Sequence, residues 1–180
     1  ARALTGMKVL VLTGPESSGK SWLAEEIQRQ FGGVLVGEYV RQYIDEVQRD
    51  TVYADIDVIA HEQLAREDAA RAIKPALLIL DTHLLSNILW SRTLFNDCPA
   101  WLEAALAERQ YDLHLLLSPD GVEWVGDGQR CQPDLGERQA FFEASRQWLV
   151  AHGQPFAVIE GSWSDRNEHV LQQVARLING

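Results

Sequence analysis

The feature that most constrains this chain is the run Gly14-Pro15-Glu16-Ser17-Ser18-Gly19-Lys20-Ser21, which lies between an apolar stretch and an amphipathic one. It satisfies the pattern G-x-x-x-x-G-K-S, and its setting between a predicted strand and a predicted helix makes the match specific. Glycines let backbone N–H groups approach phosphate oxygens, and a helix N-terminus favours their negative charge. Lys20 has the length to reach β and γ oxygens, and Ser21 offers a hydroxyl to Mg²⁺. Gly14, Glu16, Ser17, Ser18, Gly19, Lys20 and Ser21 are therefore expected to hold ATP, with Mg²⁺, at the start of the first long helix. The plainer alternative is a glycine-rich turn with a solvated lysine.

The remaining sequence reads as α/β. Near-continuous apolar runs at 8–13, 34–36, 77–81, 113–117 and 156–160 alternate with longer stretches of helical period. This is the pattern of a mainly parallel five-stranded sheet with helices on both faces, the three-layer sandwich of P-loop NTPases. The first helix starts near Gly19 and turns Leu23, Ala24, Ile27 and Phe31 inward before Gly32 and Gly33 end it. A second follows Glu38, and a third from about Asp55 buries Ile56, Ile59, Ala60 and Leu64 ahead of Pro75. Two helical pieces flank Pro99, and Ser118 to Gly121 is a turn. Residues 138–150 form a helix burying Phe141, Phe142, Trp148 and Leu149, and Asp165 with Glu168 caps the last helix. With 180 residues, 46% of them hydrophobic, the expectation is one domain over 1–180.

Charge narrows the function. A net charge of −10 opposes broad attachment to nucleic acid or an anionic membrane, so an anionic ligand needs a local cationic pocket. Cys98 and Cys131 are far apart and outside any metal spacing, which fits a reducing cytoplasm; no signal or membrane-spanning run is read. His61, His83, His114, His152 and His169 show no metal-ligand spacing either.

Further candidates stand at the carboxyl ends of the strands, where open α/β sheets bind ligands. Leu77 to Asp81 delivers Asp81 to Mg²⁺, or else to the cap of the next helix. Thr82 stands where many hydrolases and motors place a glutamate. Glu38 is a candidate general base for an acceptor hydroxyl, steadied by Arg41, or simply a helix-starting acid. His83 is the histidine expected nearest substrate. The glycine-punctuated segment Trp124 to Arg130 reads as part of a lid over 122–137, with Arg130 and then Arg138 as candidates for the transferring phosphate, or as an ordinary surface loop. Trp163 and Arg166 are candidate adenine contacts, Trp163 equally a packing residue.

Together these residues resemble the ribosylnicotinamide kinase domain of NadR-type proteins, among the P-loop nucleoside kinases. The resemblance rests on Gly14 to Ser21, Glu38-Tyr39-Val40-Arg41-Gln42-Tyr43, His61-Glu62-Gln63, Leu80-Asp81-Thr82 and Trp124 to Arg130, in matching order over most of the chain. It implies transfer of phosphate from Mg-ATP to the ribose 5′-hydroxyl of nicotinamide riboside, giving nicotinamide mononucleotide for NAD salvage. Carried over by position, Glu38 and Asp81 flank acceptor and metal, Tyr39, Arg41 and Trp90 line the nucleoside side, and Asp127 and Arg130 belong to the lid. A stand-alone kinase is expected, although relatives often join this domain to a nucleotidyltransferase; homo-oligomerisation is left open. Trp22 replaces the threonine common after the lysine-serine pair. A GTPase lacks its guanine-reading motif here, and an AAA-type motor expects a further helical lid domain. A non-catalytic ATP-sensing module, or a kinase for another nucleoside, are the alternatives.

Overall fold

The computed structural model of the chain describes residues 6–15, 18–121 and 135–180. Their order is β1 (Lys8–Thr13), α1 (Lys20–Phe31), β2 (Val34–Val36), α2 (Tyr39–Val47), α3 (Tyr53–Ile73), β3 (Leu77–Asp81), α4 (Leu84–Phe95), α5 (Ala100–Ala107), β4 (Leu113–Leu117), α6 (Leu135–Ala151), β5 (Phe156–Ile159) and α7 (Trp163–Asn179). The five strands form one sheet in the order β2-β3-β1-β4-β5, and every pairing is parallel.

Strand periodicity sorts the core into two layers. Successive side chains of a strand point to opposite faces. Val9, Val11, Leu78, Leu80 and Leu116 therefore face α3, α4, α5 and α6, where Ile56, Ala60, Leu84, Ile88, Leu102, Leu106 and Leu149 meet them. Leu10, Leu12, Ile79, Leu115 and Leu117 face the other way, onto Leu23, Ala24 and Ile27 of α1 and Val170 and Val174 of α7. Each fully buried Leu, Ile or Val contributes about 1.5–3 kcal/mol relative to exposure. Both faces are covered, which is why the strands read as unbroken apolar runs.

Connectivity sets the site. From β1 the chain goes to β2 and β3 on one side and later to β4 and β5 on the other, so the order of connection reverses beside β1. Ligands of open α/β sheets bind outside the carboxyl ends of strands at such a switch point, and the segment from Gly14 to Gly19 leaves β1 there.

Local details differ from the sequence expectations in several places: α6 begins at Leu135, not near Arg138, and Phe31 of α1 is only partly buried. Strand β5 stops at Ile159, one residue early. Phe142, Trp148 and Leu64 are only partly buried against the core. The last helix is opened by Ser162, not Asp165: Ser162 Oγ accepts the Asp165 N–H at 3.1 Å, and the Asp165 carboxylate accepts the Ser162 N–H at 3.2 Å. The capping box thus lies one turn earlier, with Asp165 as its third helical residue.

Candidate active site

The P-loop is shaped by its glycines. Gly14 has φ of 144°, and a Cβ there would stand 2.6 Å from the Leu117 carbonyl oxygen at the end of β4. Gly19, with φ of 94°, is the N-cap of α1; no side chain caps this helix, and its first turn carries no acidic residue. A helix N-terminus in that state presents unsatisfied N–H groups and the positive end of its dipole, which suits an anion. Lys20 opens the helix and is nearly buried, its Nζ donating to the carbonyls of Gly14 at 3.1 Å and Pro15 at 3.5 Å. Ser18 Oγ donates to the Pro15 carbonyl at 2.7 Å, closing the turn.

Register brings Asp81 to this loop, since Leu12 of β1 pairs with Asp81 of β3. Ser21 Oγ donates to Asp81 Oδ2 at 2.7 Å, joining the two candidate metal residues across sixty positions of sequence. A hydroxyl and a carboxylate are hard oxygen donors, and Mg²⁺ characteristically takes one or two protein oxygens and completes its shell with water and phosphate. The pair fits that ion. Among the described residues no group of three or more His, Cys, Asp or Glu could hold a metal.

The acceptor side is built by β2, α2 and α3. Glu38, partly buried, is the N-cap of α2 beyond the edge strand β2. Gln63 of α3 fixes the peptides on either side of it. Its Oε1 accepts the Tyr39 N–H at 2.9 Å, and its Nε2 donates to the Gly37 carbonyl at 3.5 Å. The Tyr39 ring lies under the Arg66 guanidinium at 4.6 Å, while Arg41 is exposed and Trp90 half-buried against the core. Asp55 is buried at the start of α3 and accepts from Tyr43 Oη at 2.6 Å, from Arg49 at 2.7 and 3.0 Å, and from the Val52 N–H at 2.8 Å. The Arg49 guanidinium, outweighing burial, holds its carboxyl well below the usual range. Asp55 and Gln63 were not singled out by sequence as site-building residues; they reach α2 through Tyr43 and Tyr39 and the segments beside it through Arg49 and Gly37.

The histidine expected nearest substrate is buried. Thr82 takes a left-handed φ of 74° and its hydroxyl bonds that of Ser86, and the next side chain, His83, is buried at 1% exposure. His83 Nε2 meets His114 Nε2 at 3.2 Å, and its ring packs edge-on against Tyr111. With Trp148, His152 and Gln154 these rings line a cavity of about 120 Å³ by the starts of β4 and β5.

On the nucleotide side, Trp163 is 43% exposed, its ring against Gly19 and edge-on to Trp22 at 6.2 Å. Arg166, expected at the base, is fully buried and bonded to three backbone carbonyls. Arg138 is buried in the first turn of α6. Glu16, Ser17, Asp127 and Arg130, with residues 122–134 of the expected lid, lie outside the described residues. Among the described residues, no helix is long and apolar enough to cross a membrane.

Comparison with known proteins agrees with this architecture. A family described as an AAA domain matches residues 9–166. The trifunctional NAD biosynthesis/regulator protein NadR of Escherichia coli (strain K12) is 25% identical over 160 residues, 86% of this chain and 38% of that protein, so the chain spans well under half of its length. In three dimensions the chain is similar to NadR protein in complex with NR, with a TM-score of 0.81 at 20% identity over 97% of this chain and 52% of that one. It is also similar to deoxyadenosine kinase from M. mycoides with bound dATP, with a TM-score of 0.67 at 15% identity over 93% of this chain and 99% of that one.

Proposed function

From the premise that this chain belongs to the AAA domain family, with the P-loop fold and a NadR-type resemblance, we propose that it is an ATP-dependent kinase of a small nucleoside, acting on the ribose 5′-hydroxyl of nicotinamide riboside. Sequence reasoning set an AAA-type motor aside, and the family match bears on the domain, not on motor activity. The observation that carries the reading is the Ser21–Asp81 hydrogen bond beside Lys20 at the uncapped start of α1. It supports a triphosphate with Mg²⁺ there, with Glu38 beyond the end of β2, two strands from β1.

The residues divide the work. The N–H groups at the start of α1 hold phosphate oxygens, and Lys20 exchanges its carbonyl partners for the transferring phosphate. Ser21 and Asp81 would hold Mg²⁺, which when bound neutralises charge on the β and γ phosphates. Glu38 accepts the proton of the acceptor hydroxyl as that oxygen bonds to the γ phosphorus, while the bridging P–O bond breaks and its electrons leave with ADP. Tyr39 and Arg41, on the same helix, line the nucleoside, and Trp163 offers a face to adenine.

The test is ADP release from Mg-ATP with a panel of nucleosides that includes nicotinamide riboside, with mass spectrometry of the product. Riboside-dependent release with nicotinamide mononucleotide formed is the expected outcome. Release with another nucleoside alone would overturn the acceptor, release that no acceptor stimulates would indicate an ATPase, and ATP binding without turnover would indicate a sensing module.

A further inference from the structure

Arg166 has an environment that a base-contacting arginine does not need. It is completely buried, and its three donor positions go to three different loops. Nε donates to the Gly161 carbonyl after β5 at 2.8 Å, Nη1 to the Ser18 carbonyl of the P-loop at 3.1 Å, and Nη2 to the Asp120 carbonyl after β4 at 2.5 Å. The loops after β4 and β5 touch where they meet it: a Cβ on Gly121 would stand 3.0 Å from the Gly161 carbonyl oxygen. Burying a guanidinium against carbonyls is unfavourable unless all its hydrogen bonds are made in good geometry. Burial lowers its pKa, with the charges of Glu160 and Asp120 opposing that shift and Arg138 adding to it.

The bond to Ser18 has a directional consequence. A trans peptide places its C=O and N–H on opposite sides. The carbonyl of Ser18 and the N–H of Gly19 belong to one peptide, so a carbonyl drawn to Arg166 turns the Gly19 N–H away from the guanidinium. Gly19 is held from a second direction by Trp163: a Cβ at Gly19 would lie 2.4 Å from Trp163 Cζ3. Trp163 and Arg166 both belong to the first turn of α7, which the Ser162–Asp165 capping box fixes. The N-cap peptide of α1 is therefore oriented by the first turn of α7, across 148 positions of sequence.

We propose that Arg166 is a positioning residue of the phosphate cradle, orienting the Ser18–Gly19 peptide toward a triphosphate, and does not contact the base. The proposal rests on the reading that the P-loop holds a triphosphate; it does not depend on which acceptor, if any, is phosphorylated.

The experiment measures equilibrium binding of Mg-ATP and of inorganic tripolyphosphate with Mg²⁺ to the wild type, Arg166→Met and Arg166→Lys, each checked by circular dichroism and thermal midpoint. Loss of a charge-assisted hydrogen bond at the cradle should weaken both ligands by the same factor, about tenfold or more in Arg166→Met. Arg166→Lys, which keeps the charge and part of the bonding, should recover part of both affinities. Weakened ATP binding with unchanged tripolyphosphate binding would return Arg166 to the base and overturn the proposal, as would unchanged binding of both. If neither variant folds, Arg166 is a stability clamp and the proposal fails. A wild type that binds ATP but not tripolyphosphate would overturn it too, by placing the affinity in the base. A wild type that binds neither ligand would sink the phosphate-site reading itself, a result visible without any variant.

Discussion

Asp81 and Ser21 show how much a single side chain carries at this site. The carboxylate accepts the Ser21 hydroxyl at 2.7 Å, and asparagine would keep an acceptor there while removing the negative charge. The bond Asp81 makes to Ser21 and the attraction of Mg²⁺ proposed for it are therefore separable. Asp81→Asn should fold normally, bind ATP without metal as the wild type does, and require more Mg²⁺ for turnover. Its kcat should fall by about 10²–10³ even at saturating metal, the range for losing one preorganised electrostatic contact. The check is ADP release against Mg²⁺ concentration at saturating ATP and acceptor. An unchanged metal requirement with normal turnover would leave Asp81 a mere partner of Ser21. Lys20 is the complementary case: its ammonium already sits on the Gly14 and Pro15 carbonyls, so the phosphate contact proposed for it requires only a change of partners.

At the scale of elements, α2 carries Glu38 at its N-cap and α3 holds that junction through Gln63. Gln63→Leu removes both bonds around Glu38, leaving the Tyr39 N–H and the Gly37 carbonyl to find other partners. If Glu38 takes the acceptor's proton, kcat should drop on the order of 10- to 100-fold from misplacement alone, while KM for ATP stays put because the P-loop is untouched. Gln63→Glu, which keeps the acceptor for the Tyr39 N–H, should recover part of kcat. Equal kcat in all three proteins would detach Gln63 from Glu38. The contrast with α1 shows what was legible in the sequence. The P-loop is contiguous, and strands buried on both faces announce themselves as apolar runs, so both were read from local pattern alone. Gln63 and Arg166 act on loops 24 and 148 positions away, and no local pattern carries such a contact. The surroundings of His83 were hidden for a related reason: sequence puts it just past the end of β3, and the structure shows the left-handed Thr82 before it and its ring buried against Tyr111 and His114.

The whole molecule's response to acid follows from that buried pair. His114 Nδ1 lies 3.0 Å from the Pro155 carbonyl and must donate to it, so the neutral ring offers a lone pair at Nε2. His83 Nε2–H then donates into it at 3.2 Å, which leaves His83 Nδ1 as a bare, buried acceptor with no partner. A proton added to His114 would either set two N–H groups against each other or drive the proton of His83 onto its unpartnered Nδ1, in a site shared with Tyr111 and His152. Burial pulls His114 down to about 4, the Pro155 carbonyl opposing, and burial followed by His114 pulls His83 down as well. An unfolded histidine titrates near 6.5. Between these values the unfolded chain binds the extra proton and the native one does not, so stability rises with pH there. The contribution is complete above about pH 6.5 and is lost as pH falls toward 4, at about 3 kcal/mol for His114 alone. Domains of this kind have about 5–15 kcal/mol in total, so a loss of that size is readily measured. Asp55, whose carboxyl Arg49 holds low, has the same sign but acts at more acid pH, below the ordinary carboxylate value. Urea midpoints measured from pH 7.5 to 4 should therefore begin to decline in the histidine window, ahead of the carboxylates, which join only near its acid end. In His114→Asn, whose amide takes over the bond to Pro155, the decline over that window should shrink by roughly half or more. A wild-type midpoint that stays flat from pH 6.5 to 4 would mean the two imidazoles are protonated together without penalty, and that the cavity beside them admits enough water to solvate the charge.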